Sequence, residues 1–189
     1  KNFISNAAEF KTRDCLKRID NYINGPTADK VCVVYGLRRT GKTTMLKQEM
    51  FSFDEEKLSK TVYIKASQQD TIASINHDIK LIEKAGYKYI FIDEVTLIDD
   101  FIDSVSLFSD VFAARGLKIV LSGTDSLCFY FAEGEELYDR AEMIRTTFIP
   151  YYEHARLLGI TDIDEYTLEG SRLEYTIFTQ PGMRFCQAQ

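Results

Sequence analysis

Residues Gly36-Leu37-Arg38-Arg39-Thr40-Gly41-Lys42-Thr43 follow the pattern G-x-x-x-x-G-K-[ST], with a second threonine, Thr44, directly behind. Each fixed position has a chemical task. Gly36 and Gly41 permit backbone angles and close approaches that a side chain forbids. Successive N–H groups of the loop form a nest for an anion, backed by the positive end of the helix expected over Lys42–Phe51. Lys42 supplies charge for the β- and γ-phosphates of a nucleotide, and the Thr43 hydroxyl is a ligand for Mg²⁺. The expected nucleotide-contacting set is therefore Gly36, Leu37, Arg38, Arg39, Thr40, Gly41, Lys42, Thr43 and Thr44.

A metal needs a second holder. Tyr89-Ile90-Phe91-Ile92-Asp93-Glu94 is an apolar strand ending in two acids, the form of a Walker B segment. Asp93 is expected to hold Mg²⁺, through water, and Glu94 to polarise the attacking water as the base that hydrolysis requires. A third apolar strand, Lys118–Leu121, runs into Ser122-Gly123-Thr124-Asp125-Ser126. Ser122 or Thr124 is placed there to sense the γ-phosphate or orient the water. Plain helix capping by Thr124 or Asp125 is the competing explanation. Charge developing on the transferred phosphoryl group calls for an arginine. Arg140 is one candidate, Arg38 and Arg39 are others, and surface ion pairing competes for each.

These groups must be carried by regular elements. Residues 2–24 read as a helical approach, with Phe10, Leu16, Ile19 and Ile23 able to share a face and Asn24-Gly25-Pro26 as the stop. Strands are expected at Val31–Tyr35, Thr61–Ala66, Tyr89–Ile92, Leu117–Leu121 and Met143–Ile149. Helices are expected at Lys42–Phe51, Thr71–Ala85, Asp99–Arg115 and Tyr151–Leu158. Strands apolar throughout and alternating with helices predict an α/β fold, a mostly parallel sheet covered on both faces. The expected strand order is 5-1-4-3-2. After Gly159 the pattern fades.

Composition narrows the function classes. With 23 Lys and Arg against 29 Asp and Glu, the net charge of −6 argues against a general nucleic-acid binder. The first fifty residues nevertheless carry ten basic against five acidic residues, a front end suited to an anion. The longest apolar run, Leu127–Ala132, is six residues, far short of the ~20 that cross a bilayer. Cys15, Cys32, Cys128 and Cys186 are scattered and read as reduced thiols of a cytoplasmic protein. His77 and His154 are too isolated for a metal cluster, and Ser126 does not sit in a nucleophile elbow. The aromatic run Phe129-Tyr130-Phe131 and the Tyr151-Tyr152 pair read as core or docking surface rather than base-stacking platforms.

In this order, Tyr35–Thr44, Ile90–Thr96, Ile119–Ser126, Leu137–Arg140 and Thr147–Gly159 resemble the AAA+-like P-loop ATPases of bacteria and archaea. The likeness is to the group whose ATPase domain precedes a separate C-terminal domain. The resemblance implies a P-loop NTPase three-layer αβα sandwich, with ATP and Mg²⁺ as cofactors. It also implies slow ATP hydrolysis coupled to a conformational change, with self-association or a protein partner. Expected boundaries are a helical lead-in at 1–26, the ATPase domain at 27–160 and a truncated extension at 161–189. The chain opens on Lys1 rather than Met, so a trimmed piece lacking the family's C-terminal domain is expected. GTP is disfavoured because no Asn-Lys-x-Asp or Thr-Lys-x-Asp segment is present. A nucleotide-gated switch with little turnover is the alternative, followed by a small-molecule kinase, against which Glu94 argues.

Overall fold

A computed structural model describes residues 7, 9–26, 29–99, 101, 108–124, 140–159 and 161–172, residues 168–172 by backbone alone. In chain order the regular elements are α1 (Leu16–Asn24), β1 (Val31–Gly36), α2 (Lys42–Phe51), α3 (Glu55–Ser59), β2 (Thr61–Lys65), α4 (Ile72–Lys84), β3 (Tyr89–Asp93), β4 (Lys118–Gly123), β5 (Ala141–Thr146), α5 (Tyr151–Leu158) and α6 (Ile163–Arg172). Short helical turns fill Val95–Leu97 and Phe108–Arg115.

The five strands form one sheet, all neighbours parallel, in the order β2-β3-β4-β1-β5. This is the order expected from the sequence. Parallel strands need crossovers on the sheet faces, so each central strand is buried twice and sorts its side chains by parity. Val31, Val33, Ile90, Ile92, Ile119 and Leu121 face one layer, with Ile75 and Ile79 of α4, Phe108 and Phe112. Cys32, Val34, Phe91 and Val120 face the other, with Ile19 and Ile23 of α1 and Met45, Leu46 and Met50 of α2. Burying each such aliphatic side chain contributes about 1.5–3 kcal/mol, which ties both layers to the sheet.

Local signals set the ends of elements. Thr71 and Ser74 close a reciprocal capping box at the start of α4, with N–H to hydroxyl distances of 3.0 and 3.1 Å. Asp54 caps α3 by accepting the Lys57 N–H at 2.7 Å. Tyr22 pins α1 to the sheet, its hydroxyl donating to the Lys30 carbonyl at 2.9 Å and accepting from the Ile119 N–H at 3.0 Å.

Four expectations about elements are corrected. Within the described part of the helical approach, α1 covers Leu16–Asn24 and residues 9–15 run as turns and irregular chain. The fifth strand begins two residues early and ends at Thr146, its register set by six pairs with β1 from Val31↔Ala141 to Gly36↔Thr146. The described part of Asp99–Arg115 ends in a wide π-type turn and a tight 3₁₀ turn rather than regular α-helix. Beyond the fading point, α6 forms, with the Asp162 carboxylate accepting the N–H groups of Asp164 and Glu165 at 2.8 and 3.0 Å.

The chain divides into two compact units, Lys1–Phe148 and Ile149–Gln189. Within the second, Tyr166 packs edge-on against Tyr151 and His154, at centroid distances of 5.3 and 4.8 Å, and donates its hydroxyl to the Ile149 carbonyl. Among the described residues, no helix is long and apolar enough to cross a membrane.

Candidate functional site

All parallel strands present their carboxyl ends on one side, and the candidate groups from β1, β3 and β4 meet there. Gly36 closes β1 at φ +144°, and a Cβ at this position would lie 2.1 Å from the Thr146 carbonyl oxygen. Only glycine fits beside β5 here. Leu37, Arg38 and Arg39 are exposed, Arg39 in left-handed backbone at φ +64°. Thr40 turns back inside, its hydroxyl on the Leu37 carbonyl at 2.9 Å and within 2.7 Å of the Thr146 hydroxyl. Gly41, at φ +88°, opens α2 and offers no side-chain cap. Glycine at this cap leaves the first-turn amides, those of Thr43 and Thr44 among them, without a bond from the cap side chain, the condition under which a helix start takes an anion.

Lys42 is buried, at 6% exposure, and its ammonium donates to the Gly36 carbonyl at 2.9 Å and the Leu37 carbonyl at 2.5 Å. Burial lowers its pKa from the ordinary lysine value, while Glu94 and Asp93 act against that shift. Thr43 donates to Asp93 Oδ2 at 2.7 Å, so the residues expected to share a metal touch. Asp93 itself is 1% exposed. Its other oxygen accepts the Ser122 hydroxyl from β4 and the Glu94 N–H. Glu94 is half-buried and adopts left-handed backbone, φ 62° and ψ 34°, just past the strand end. Thr124 is near, its N–H donating to the Thr96 hydroxyl at 3.3 Å.

The donor set suits a hard cation. A hydroxyl and a carboxylate 2.7 Å apart, beside open amides and an ammonium, match Mg²⁺, which takes one or two protein oxygens and leaves its remaining positions to water and phosphate.

A family profile described as AAA domain matches residues 28–154. The chain belongs to that family. Among solved structures, this AAA domain is similar to Hsp104 in a closed-state cryo-EM reconstruction with ATPγS and FITC casein. The TM-score is 0.50 at 11% identity, over 82% of this chain and 29% of that one. It is also similar to a protein described as a primosome component from Streptococcus pyogenes serotype M3, at TM-score 0.43 and 16% identity, over 71% of this chain and 79% of that one. The AAA domain thus spans less than a third of the Hsp104 chain. No curated protein matches it. Membership and fold together support an ATPase-like, nucleotide-binding function for the domain.

Arg140 does not join the cluster within this AAA domain. Its carbonyl accepts the Val31 N–H at 2.9 Å, which places it at the amino end of β1, while the loop leaves from the carboxyl end. Five residues of strand, about 17 Å, lie between. Its guanidinium instead pairs with Asp110 at 2.9 Å on the surface. The aromatic run 129–131 and Leu137–Asp139 lie outside the described residues.

Three contributors escape a reading of the sequence alone. Tyr63 of β2 donates its hydroxyl to Asp93 Oδ2 at 2.7 Å. Burial and the adjacent carboxylate push its phenol further above the usual range. Thr146 of β5 holds the loop through Thr40 and also donates to the Tyr35 carbonyl at 3.0 Å. Arg13 reaches the Thr40 carbonyl at 3.3 Å and the Thr147 carbonyl at 3.2 Å. None of the three carries a signal in the sequence: Tyr63 shares the face of Asp93 only through the pairing of β2 with β3, which sets it opposite Phe91.

Proposed function

We propose that this domain binds Mg-ATP at the Gly36–Thr43 loop and hydrolyses it slowly to ADP and phosphate, coupled to a conformational change. The observation that carries the reading is the contact of Thr43 Oγ1 with Asp93 Oδ2 at 2.7 Å, with Lys42 and Glu94 close enough to act on one another's charge. When bound, Mg²⁺ would be held by Thr43 and Asp93 and would neutralise part of the phosphate charge.

The chain's own residues do the rest. The loop amides and Lys42 take the phosphates, and Lys42 exchanges its carbonyl partners for phosphate oxygens. Thr43 and Asp93 are the residues that hold the metal. Glu94, fixed by its backbone at the strand end, accepts a proton from the attacking water. Ser122 is bonded to Asp93, which makes it a support for that carboxylate, and in this reading Thr124 is the γ-phosphate sensor. The position of Arg140 favours the switch-like alternative for a single molecule in isolation. An arginine from a second copy or a protein partner would then raise turnover, and turnover that climbs with protein concentration is its signature.

Glu94→Gln tests the reading. It keeps the shape and removes the base, so nucleotide affinity by calorimetry should match the wild type while phosphate release falls about 10²-fold or more. Full turnover in that variant removes Glu94 from the mechanism.

A further inference from the structure

A carboxylate offers about four lone-pair positions, and among the described residues four donors occupy those of Asp93. Thr43 and Tyr63 hydroxyls sit on Oδ2, each at 2.7 Å, and the Ser122 hydroxyl and Glu94 N–H, the latter at 3.1 Å, sit on Oδ1. At 1% exposure, bulk water has no access to complete the shell differently. A metal held through water needs an acceptor position here, because its water ligand points hydrogens at the carboxylate. One of the four donors has to yield.

Three of them are poorly able to. The Thr43 hydroxyl can donate to Asp93 and still turn its lone pairs to a metal, so its bond is compatible with loading. The Glu94 N–H is main chain held by the turn that follows β3. Ser122 is fully buried in β4, between two neighbouring strands. Tyr63 differs on each count. It belongs to β2, at the edge of the sheet, its ring is half-buried, and it reaches Asp93 diagonally from the position opposite Phe91. Rotation of that long side chain moves the hydroxyl off the carboxylate without moving a strand.

We propose that the Tyr63 hydroxyl is a placeholder on Asp93, keeping the Oδ2 position that a metal-bound water takes when Mg-nucleotide loads. Loading is then coupled to a side-chain displacement at the sheet edge, where β2 lies. The inference rests on the Mg-nucleotide reading above.

Tyr63→Phe keeps the ring and removes the competing donor. A hydrogen bond traded for one to water is worth a factor of about five, so Mg²⁺ should half-saturate the variant at about a fifth of the wild-type concentration. The measurement is a calorimetric Mg²⁺ titration at fixed adenylyl imidodiphosphate, paired with nucleotide binding in EDTA, which should be equal in the two proteins. A mere packing role for Tyr63 would shift both or neither. An unchanged or weakened Mg²⁺ dependence in the variant overturns the placeholder and leaves the nucleotide reading standing. A wild type that binds the analogue with no Mg²⁺ dependence overturns both. If the variant does not fold, the wild type still decides. Mg-nucleotide must then produce a tyrosine ultraviolet difference spectrum that nucleotide in EDTA does not, and its absence sinks the proposal.

Discussion

Glu49 stands near the end of α2, 2% exposed, with its Oε1 unpartnered among the described residues. Burial raises its pKa to about 7, Asp20 on α1 adds to the rise and Lys57 on α3 opposes it. The neighbouring Cys32 thiol of β1 is itself pushed up, first by burial, and Glu49 adds to that. The negative end of the helix dipole works in the same direction as burial. The linkage has a definite sign. The folded chain keeps a proton on Glu49 that the unfolded chain, with an ordinary value of 4.5, releases earlier. Between pH 4.5 and about 7 the unfolded state therefore binds fewer protons, and stability falls as pH rises. At 1.36 kcal/mol per unit, the loss from this one group is about 3 kcal/mol by pH 8. Glu49→Gln cannot ionise. Its amide brings its own cost, on the order of 1–3 kcal/mol if left unpaired, but that cost does not depend on pH. The diagnostic quantity is thus the stability gap between variant and wild type at pH 8 minus the same gap at pH 5. Urea unfolding at both values should show it shifted toward the variant by about 2–3 kcal/mol, since other carboxylates are common to both chains and cancel. A gap that stays constant from pH 5 to 8, or one that moves toward the wild type, refutes the reasoning.

Two further outcomes test the loop. Lys42→Ala removes the ammonium that the loop now holds on the Gly36 and Leu37 carbonyls, and nucleotide affinity should drop about a hundredfold by calorimetry, the equivalent of ~3 kcal/mol for charge-assisted bonds. Gly36→Ala drives a Cβ to 2.1 Å from the Thr146 carbonyl oxygen, a backbone atom with nowhere to move. It should destabilise the fold by about 3 kcal/mol or more in urea unfolding, whether or not nucleotide is present.

Much of this site was legible because its determinants are local in sequence. The loop, Lys42 and Thr43 follow one another, and Asp93 ends an apolar strand, so spacing alone brought them into view. Burial of the strands on both faces pointed to a parallel sheet, while the order of its strands came from the resemblance to P-loop ATPases. What stayed hidden depends on contacts between distant segments. Tyr63 matters through its register with Phe91, and Thr146 through a single pairing with Gly36. Arg140 drew attention by its type, yet the strand it precedes begins at the opposite end of the sheet from the loop. The fifth strand blurred because an edge strand carries Glu142 and Arg145 among its apolar positions, weakening the period. Helix α6 was missed because its start rests on Asp162 rather than on an apolar stripe.

The left-handed backbone at Glu94 has a practical consequence for anyone who evolves this domain in the laboratory. That region costs a glutamate about 1–2 kcal/mol relative to glycine, and asparagine also tolerates it better. A library screened for heat resistance without an assay for ATP turnover will therefore enrich Gly or Asn at this position. The winners would melt later and have lost the carboxylate whose cost the backbone was bearing.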